Sequence, residues 1–403
     1  MCYKLGRVIA LLTILTFFVV LLQYQKKGGL GRPHPLLLSR RRPVTTNYII
    51  NNLVCDVSVG KERVRLISLV TSHPGNGQLR DKLRTLLPTS KLSKLGMRRL
   101  FLLGTLDSEG RRRDESPSNK KYNWVSWSDI EREGREHRDL VVGDFLESYH
   151  NLTPKHMMGL EWVDRFCPQA TFVLKQDDDI IVDYFQLDVL LGQPPFASVV
   201  EDKGQILGKV LHHQTVIRDP SSKWFVSKDE YPSDIFPSFV SGWAYITTPK
   251  VVKALLVAAQ NLEYFWIDDV HVTGTLREAA GISLLDLADY FTTFKGQLEC
   301  CVATPEKKLF VVQEHGRRPF WCDFVIGPPN DDQVLMELFH RHATFCHTTK
   351  LCGRRRGRQR LERSCVITPH MIVNRFLGHS QNNNSIIRSV QKGVWKPLAR
   401  NYG

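Results

Sequence analysis

Residues 170–183 read ATFVLKQDDDIIVD, an apolar run that leads straight into three consecutive carboxylates. Thr171 to Leu174 have the β-branched and aromatic character of a short buried strand, so the strand end must deliver Asp177, Asp178 and Asp179 to one place. Adjacent like charges raise one another's pKa and repel, and such a triplet is comfortable only in open water or around a cation. In an extended chain residues two apart point the same way. Asp177 and Asp179 can therefore share a divalent ion while Asp178 points elsewhere. Oxygen ligands of this kind suit Mn²⁺ or Mg²⁺, which keep positions open for phosphate oxygens. Taken alone, a solvated acidic turn is the simpler reading.

Around this stretch, strand patterns alternate with helix patterns. Arg63–Thr71 and Arg98–Gly104 read as buried strands, with a turn at Ser72–Gly77 and a helix from about Gln78 to Leu87 between them. A helix from about Asp129 to His137 and a short apolar piece at Leu140–Val142 follow. Thr153 reads as a cap with Pro154 at the first helical position, and Met157, Met158, Leu160, Trp162, Val163 and Phe166 give that helix its apolar face. Gly204–Leu211 and Gly242–Thr247 read as strands, and Pro249 opens a helix to Leu262. The alternation predicts an α/β fold with a mostly parallel central sheet flanked by helices, binding its ligand at the carboxyl ends of the strands.

A second acidic site, Asp268 and Asp269, heads a helical pattern that runs to Gly281. An Asp at a helix start is usually a cap. Two separate carboxylate sites, one suited to a metal and one at a helix start, are also what metal-assisted transfer from a phosphate ester needs.

Charge and cysteines bear on the compartment. The formal net charge of +14 raises the question of nucleic acid, but Lys and Arg fall in clusters at Arg40–Arg42, Arg111–Arg113 and Arg354–Arg363 that read as solvated surface. No residue from Val8 to Gln25 is charged, and no small-x-small cleavage site follows Leu22. The sequence therefore predicts a cytoplasmic tail at 1–7, a transmembrane signal anchor at 8–25, a stem at 26–60, a luminal catalytic domain at 61–345 and a basic Cys-containing extension at 346–403. The short span favours a thin early-secretory membrane, the Golgi apparatus or the endoplasmic reticulum. Of nine cysteines, Cys2 falls in the tail, and the other eight form an even set that can pair in an oxidising lumen. Cys346, His347 and Cys352 lie close enough for a zinc reading, though no C-x-x-C pairs support it. Asn151 and Asn383 stand in glycosylation sequons.

In order along the chain stand Arg80–Arg84 (RDKLR), Phe101–Gly104 (FLLG), Asp144–Lys155 (DFLESYHNLTPK), Lys175–Asp179 (KQDDD), Lys223–Trp224, Phe236–Gly242 (FPSFVSG) and Asp268–Val270 (DDV). In order and spacing these resemble the β1,3-galactosyltransferase family, glycosyltransferase family 31, from about Val64 to Gly281. The resemblance implies a type II membrane protein with a GT-A fold, a UDP-sugar donor, Mn²⁺ and a glycan acceptor on protein or lipid. It implies Asp179 as the direct metal ligand, with Asp177 and Asp178 near the ribose and phosphates. Arg80, Arg84, Lys175 and Gly242 are implied at the nucleotide-sugar, and Asp269 as general base with Asp268 beside it. Galactose is the commonest donor sugar of such enzymes, and N-acetylhexosamines are the others.

The chain departs from the family pattern at Leu86 and Leu87, where Thr-Trp is usual, and at Trp243, where a small residue is usual. His315 and His340 are the late histidines available to a metal. Trp224 and Trp243 can stack on sugar rings, although an aromatic beside a strand is more often core. The main competing function is an inactive glycan-binding or chaperone-like protein of the same fold. Intact Asp179 and Asp269 argue against it.

Overall fold

The computed structural model describes residues 47–55, 63–106, 125–201, 204–302, 319–357, 360, 361 and 365. The apolar span Val8–Gln25, the first part of the stem, His315 and the Asn383 sequon lie outside them. Among the described residues no helix is long and apolar enough to cross a membrane.

The described strands are β1 (Tyr48–Asn51), β2 (Leu66–Thr71), β3 (Met97–Thr105), β4 (Leu140–Leu146), β5 (Phe172–Asp177), β6 (Ile181–Val182), β7 (Gln205–Leu211), β8 (Phe239–Thr247), β9 (Ser283–Asp286) and β10 (Ile326–Gly327). Eight of them form one sheet in the order β1-β4-β3-β2-β5-β8-β7-β9, and β10 pairs separately with β6. The sequence of β2, LISLVT, carries no polar alternation because the strand is central and buried on both faces.

The sheet is mixed. β2 pairs in parallel with β3 and β5, as do β3 with β4 and β7 with β9. β8, however, runs antiparallel to both β5 and β7, and β1 antiparallel to β4. The expectation of a mostly parallel sheet holds for six of the eight strands, and β8 and the edge strand β1 run against them. Between β7 and β8 the chain makes an irregular excursion instead of a helical crossover, and an antiparallel partner needs no crossover.

Helices cover both faces. On one side Leu152–Phe166 and Pro249–Ala259 pack Met158, Trp162, Val251 and Leu255 against Leu100, Leu102, Val173 and Tyr245. Gly159 makes the close approach here, since a Cβ at that position would collide with the Leu102 side chain. On the other side Tyr184–Leu190 and Gln333–Thr349 bring Phe185, Leu187 and Ala343 against Leu66, Phe172, Leu174 and Ile246.

Three expectations about boundaries change. Tyr48–Asn51, expected as stem, is an edge strand, and the Cys55–Cys167 disulfide fixes its end to the helix Leu152–Phe166. The helix Gln333–Thr349 runs past 345, and Cys300–Cys365 ties the expected extension back to the domain, while Cys346–Cys352 closes a loop at the end of that helix. Thr153 is not a cap: the helix starts at Leu152, and the buried Thr153 hydroxyl donates to Phe265 O at 2.8 Å. With Cys301–Cys322, all eight cysteines beyond Cys2 are paired, which removes the zinc reading for Cys346 and Cys352.

Candidate active site

Register places the site. Thr71 of β2 lies opposite Asp177 of β5, so two parallel strands end together at the acidic triplet. Along β5 the side chains alternate: Lys175 shares a face with its cross-strand partner Tyr245, and Gln176 shares the other with Ala244. The triplet then divides. Asp178 turns inward, accepting from the Ser72 hydroxyl at 2.6 Å and from the Asn76 amide at 2.9 Å. Asp177 accepts from Lys175 Nζ at 2.7 Å, and Asp179 stays half-buried.

Asp268 and Asp269 come to the same end of the sheet on a π-helical turn, Val270–Leu276, a backbone irregularity found most often at functional positions. Thr273 fastens this turn to β8: its hydroxyl donates to Asp269 O at 2.7 Å and accepts from Val240 N at 3.1 Å. Asp269 Oδ2 accepts from Gly242 N at 3.2 Å, and Oδ1 from Val270 N at 2.8 Å. A Cβ on Gly242 would stand 3.2 to 3.4 Å from the Asp269 carboxylate, so glycine is what lets the acid seat against β8. Asp268 instead meets His156 Nδ1 at 2.9 Å, and His156 Nε2 lies 2.6 Å from the Tyr245 hydroxyl.

Lys175 is the electrostatic centre. Its ammonium is 3% exposed, bonded to Asp177 and to Gly242 O. Burial lowers its pKa, but Asp177, Asp268 and Asp269 together raise it above the usual lysine value. For Asp268 burial acts upward, yet the His156 hydrogen bond and the Lys175 charge outweigh it and hold the carboxyl low. Asp269 goes the other way, raised by burial and then by the Asp268 charge, with only backbone N–H groups and Lys175 opposing. Burial also pushes Asp177 up to about 6 against the charge and hydrogen bond of Lys175, with a third of its side chain still open to solvent. Burial lowers the His156 pKa and keeps it neutral. Its Nδ1–H then donates to Asp268, and Nε2 accepts from Tyr245. Neighbouring acids with pKa values driven apart are the pattern of an assigned base beside a permanent charge.

Several expected binding residues have other work. All five N–H donors of Arg80 are taken by Glu133, Ser72, His73 O and Pro74 O, so none remains for a phosphate. Arg84 is held by Asp139, Glu133 and Asp81. Arg80 braces the loop that carries Ser72, and through Ser72 the Asp178 carboxylate, while Arg84 joins it only through the shared Glu133. Lys155 braces it from the other side, donating to Ser72 O at 2.7 Å and to Glu147. Lys175 and Gly242 serve the acid pair. Asn151 Nδ2, the atom a glycan would occupy, donates to Leu146 O at 2.8 Å, so the folded sequon anchors a helix start. Trp243 stacks on Phe291 at the edge of the core, and Lys223 lies over the Trp224 ring.

Among the described residues no three His, Cys, Asp or Glu side chains converge to hold a metal. A cation bound chiefly through substrate phosphates needs only one or two protein carboxylates. Asp179 and Asp177 fit that role, and a cation beside Asp177 would relieve the burial that raises its pKa. His340 lines a cavity on the opposite face with Gln176 and Tyr184, and burial pushes its pKa down to about 4. It is not placed to complete the site.

Sequence reasoning missed His156, Tyr245 and Glu147. His156 follows Lys155 inside an apolar helical face, where a lone histidine reads as core. Tyr245 lies in a strand pattern where an aromatic is expected.

Two sets of carboxylates, one at a strand end and one at a helix start, gathered around Lys175 are suited to a class of chemistry, group transfer from a phosphate ester. The chain belongs to the galactosyltransferase family, whose profile matches residues 79–288, just over half its length. It is 35% identical over 206 residues to human beta-1,3-galactosyltransferase 5, covering 51% of this chain and 60% of that protein. It is 31% identical over 227 residues to beta-1,3-galactosyltransferase brn of Drosophila melanogaster, covering 56% and 63%. The chain thus spans less than two thirds of these relatives' length. Among solved structures, galactosyltransferase LgtC in complex with donor and acceptor sugar analogs aligns at 8% identity and a TM-score of 0.30, over 70% of this chain and 95% of that one. So weak a likeness carries no argument.

Proposed function

We propose that this chain is an inverting, UDP-sugar-dependent hexosyltransferase of GT-A type that moves a sugar, galactose first, onto a glycan hydroxyl in β1,3 linkage. The single observation that carries the reading is the division of the acids: Asp269 raised and backbone-held on Gly242, Asp268 kept charged by His156 and Lys175. The acceptor hydroxyl attacks the anomeric carbon, its proton passes to Asp269, and the bond from that carbon to the diphosphate breaks on the opposite side. A raised pKa makes Asp269 a better proton acceptor than an ordinary aspartate. Asp179, with Asp177, would hold Mn²⁺ or Mg²⁺, which supplies positive charge to the leaving diphosphate.

The apolar Val8–Gln25 segment and the fully paired cysteines beyond Cys2 support the same proposal for place: a Golgi membrane, or the endoplasmic reticulum, with this domain on the oxidising side. The test is transfer by the full chain with Mn²⁺ across a panel of UDP-sugars, beside Asp179→Ala and Asp269→Ala. One UDP-sugar should support turnover, and both variants should lose it by about 10²-fold or more. No turnover with any donor, at unchanged UDP binding, would make the chain a binding protein instead.

A further inference from the structure

On the face of the sheet away from the acid pair, Arg99 of β3 is 6% exposed and incompletely bonded. Nη1 donates to Leu83 O at 3.0 Å, while Nε and Nη2 have no partner. A guanidinium cannot shed its charge, and a buried cation without a counter-charge is costly. The candidates nearby are engaged. Asp139 gives both oxygens to Arg84, and Asp183 gives its own to Phe185 N, Gln186 N and the Gln186 amide. Phe101 offers its ring at 5.3 Å, but Arg84 lies over the same ring at 4.9 Å.

Arg99 lines a cavity of about 40 Å³ with Gln176, Asp183, Tyr184, His340 and Ala343. That exceeds the space one water needs, and is far too little for a nucleotide or a sugar. Asp183 also stands in the wall, its carboxylate already accepting from Phe185 N, Gln186 N and the Gln186 amide; the polar groups left over are donors. Tyr184 donates to Gln176 Oε1 at 2.8 Å, which leaves the Gln176 N–H groups as the remaining donors. His340 is neutral, lowered by burial and then by the Lys91 and Arg99 charges, and so brings no cation of its own.

We propose that this cavity binds one small monovalent anion of chloride size, with Arg99 as its counter-charge and Gln176 as its second donor. Water would meet the donors' geometry and leave Arg99 only the field of Asp139, a carboxylate that Arg84 already holds. Gln176 and Ile180, both in the cavity wall, flank the acidic triplet, so the bound anion braces that loop from behind.

The test is thermal unfolding of the full chain, without donor or metal, in chloride against gluconate at equal ionic strength. Chloride should raise the wild-type Tm by about 2–5 °C. Arg99→Met should abolish the difference. Should that variant fail to fold, Ala343→Leu, which fills the cavity and keeps Arg99, should abolish it as well. Bromide-soaked crystals should show anomalous density beside Arg99 Nη2. Equal melting of wild type in the two salts, a chloride response that survives Ala343→Leu, or density there without an anomalous signal would overturn the proposal.

Discussion

The two faces of the central sheet bury charge under opposite rules. Against the helix Leu152–Phe166, the buried charges of the site are paired: Lys175 with Asp177, Asp268 with His156, Lys155 with Glu147. Against the helix Gln333–Thr349, Arg99 is buried with two nitrogens unbonded. The first face pairs its site charges before any ligand arrives, although His271 Nδ1 beside them is unbonded. The second is incomplete in itself, and it lies directly behind the strand that carries the acids. Completed polar networks hold reacting groups in place, whereas an orphaned buried charge marks a place where something else binds.

The comparison is broken most severely by Lys175→Met. This change leaves Asp177, Asp268 and Asp269 without their shared cation, and it should cost about 3–5 kcal/mol in denaturant unfolding. Arg80→Met should cost somewhat less, about 2–4 kcal/mol, because Glu133 keeps Arg84 when Arg80 is gone. It also separates two roles: a bracing Arg80 predicts that UDP binding by the folded fraction keeps its salt dependence, whereas a phosphate contact predicts a shallower one. Gly242→Ala pushes the Asp269 carboxylate off its seat without touching the triplet. We expect kcat to fall about 10²-fold while the donor KM stays near wild type.

The smallest effect carries a sign. Asp269 has a raised folded pKa, so its ionisation removes stability as pH climbs from the unfolded value, about 3.9, through the folded one. Asp269→Asn should therefore melt above wild type at pH 8, by about 2–4 °C, and the gap should close toward pH 4. A variant that melts lower at pH 8 would place Asp269 among the stabilising ions with Asp268.

Much of this was legible in the sequence, because strand periodicity and carboxylates are local signals. The β2 and β5 strands, the helix that feeds β5, and the acids 177–179 and 268–269 all stand where their patterns put them. Partners were not legible. Whether Arg80 meets a phosphate or Glu133, and whether Asp268 meets water or His156, depends on pairs 53 and 112 residues apart that no local spacing encodes. The edge strand Tyr48–Asn51 hid in a Pro- and Arg-rich neighbourhood. The helix Gln333–Thr349 hid among cysteines and histidines, although Leu335, Met336, Phe339, Ala343 and Cys346 repeat at helical spacing.

The central claim is that Asp269 is the base and that burial with Asp268 tunes it. Its most direct test is the pH dependence of kcat/KM for sugar transfer with a donor that supports turnover. A base must be ionised to accept the proton, so the rate should fall as pH drops through the raised pKa, with the acid limb in the neutral range. Asp269→Asn should lose about 10³-fold at the plateau while still binding UDP. An acid limb at the ordinary aspartate value near 3.9, or an Asp269→Asn variant that transfers at the wild-type rate, would contradict the account.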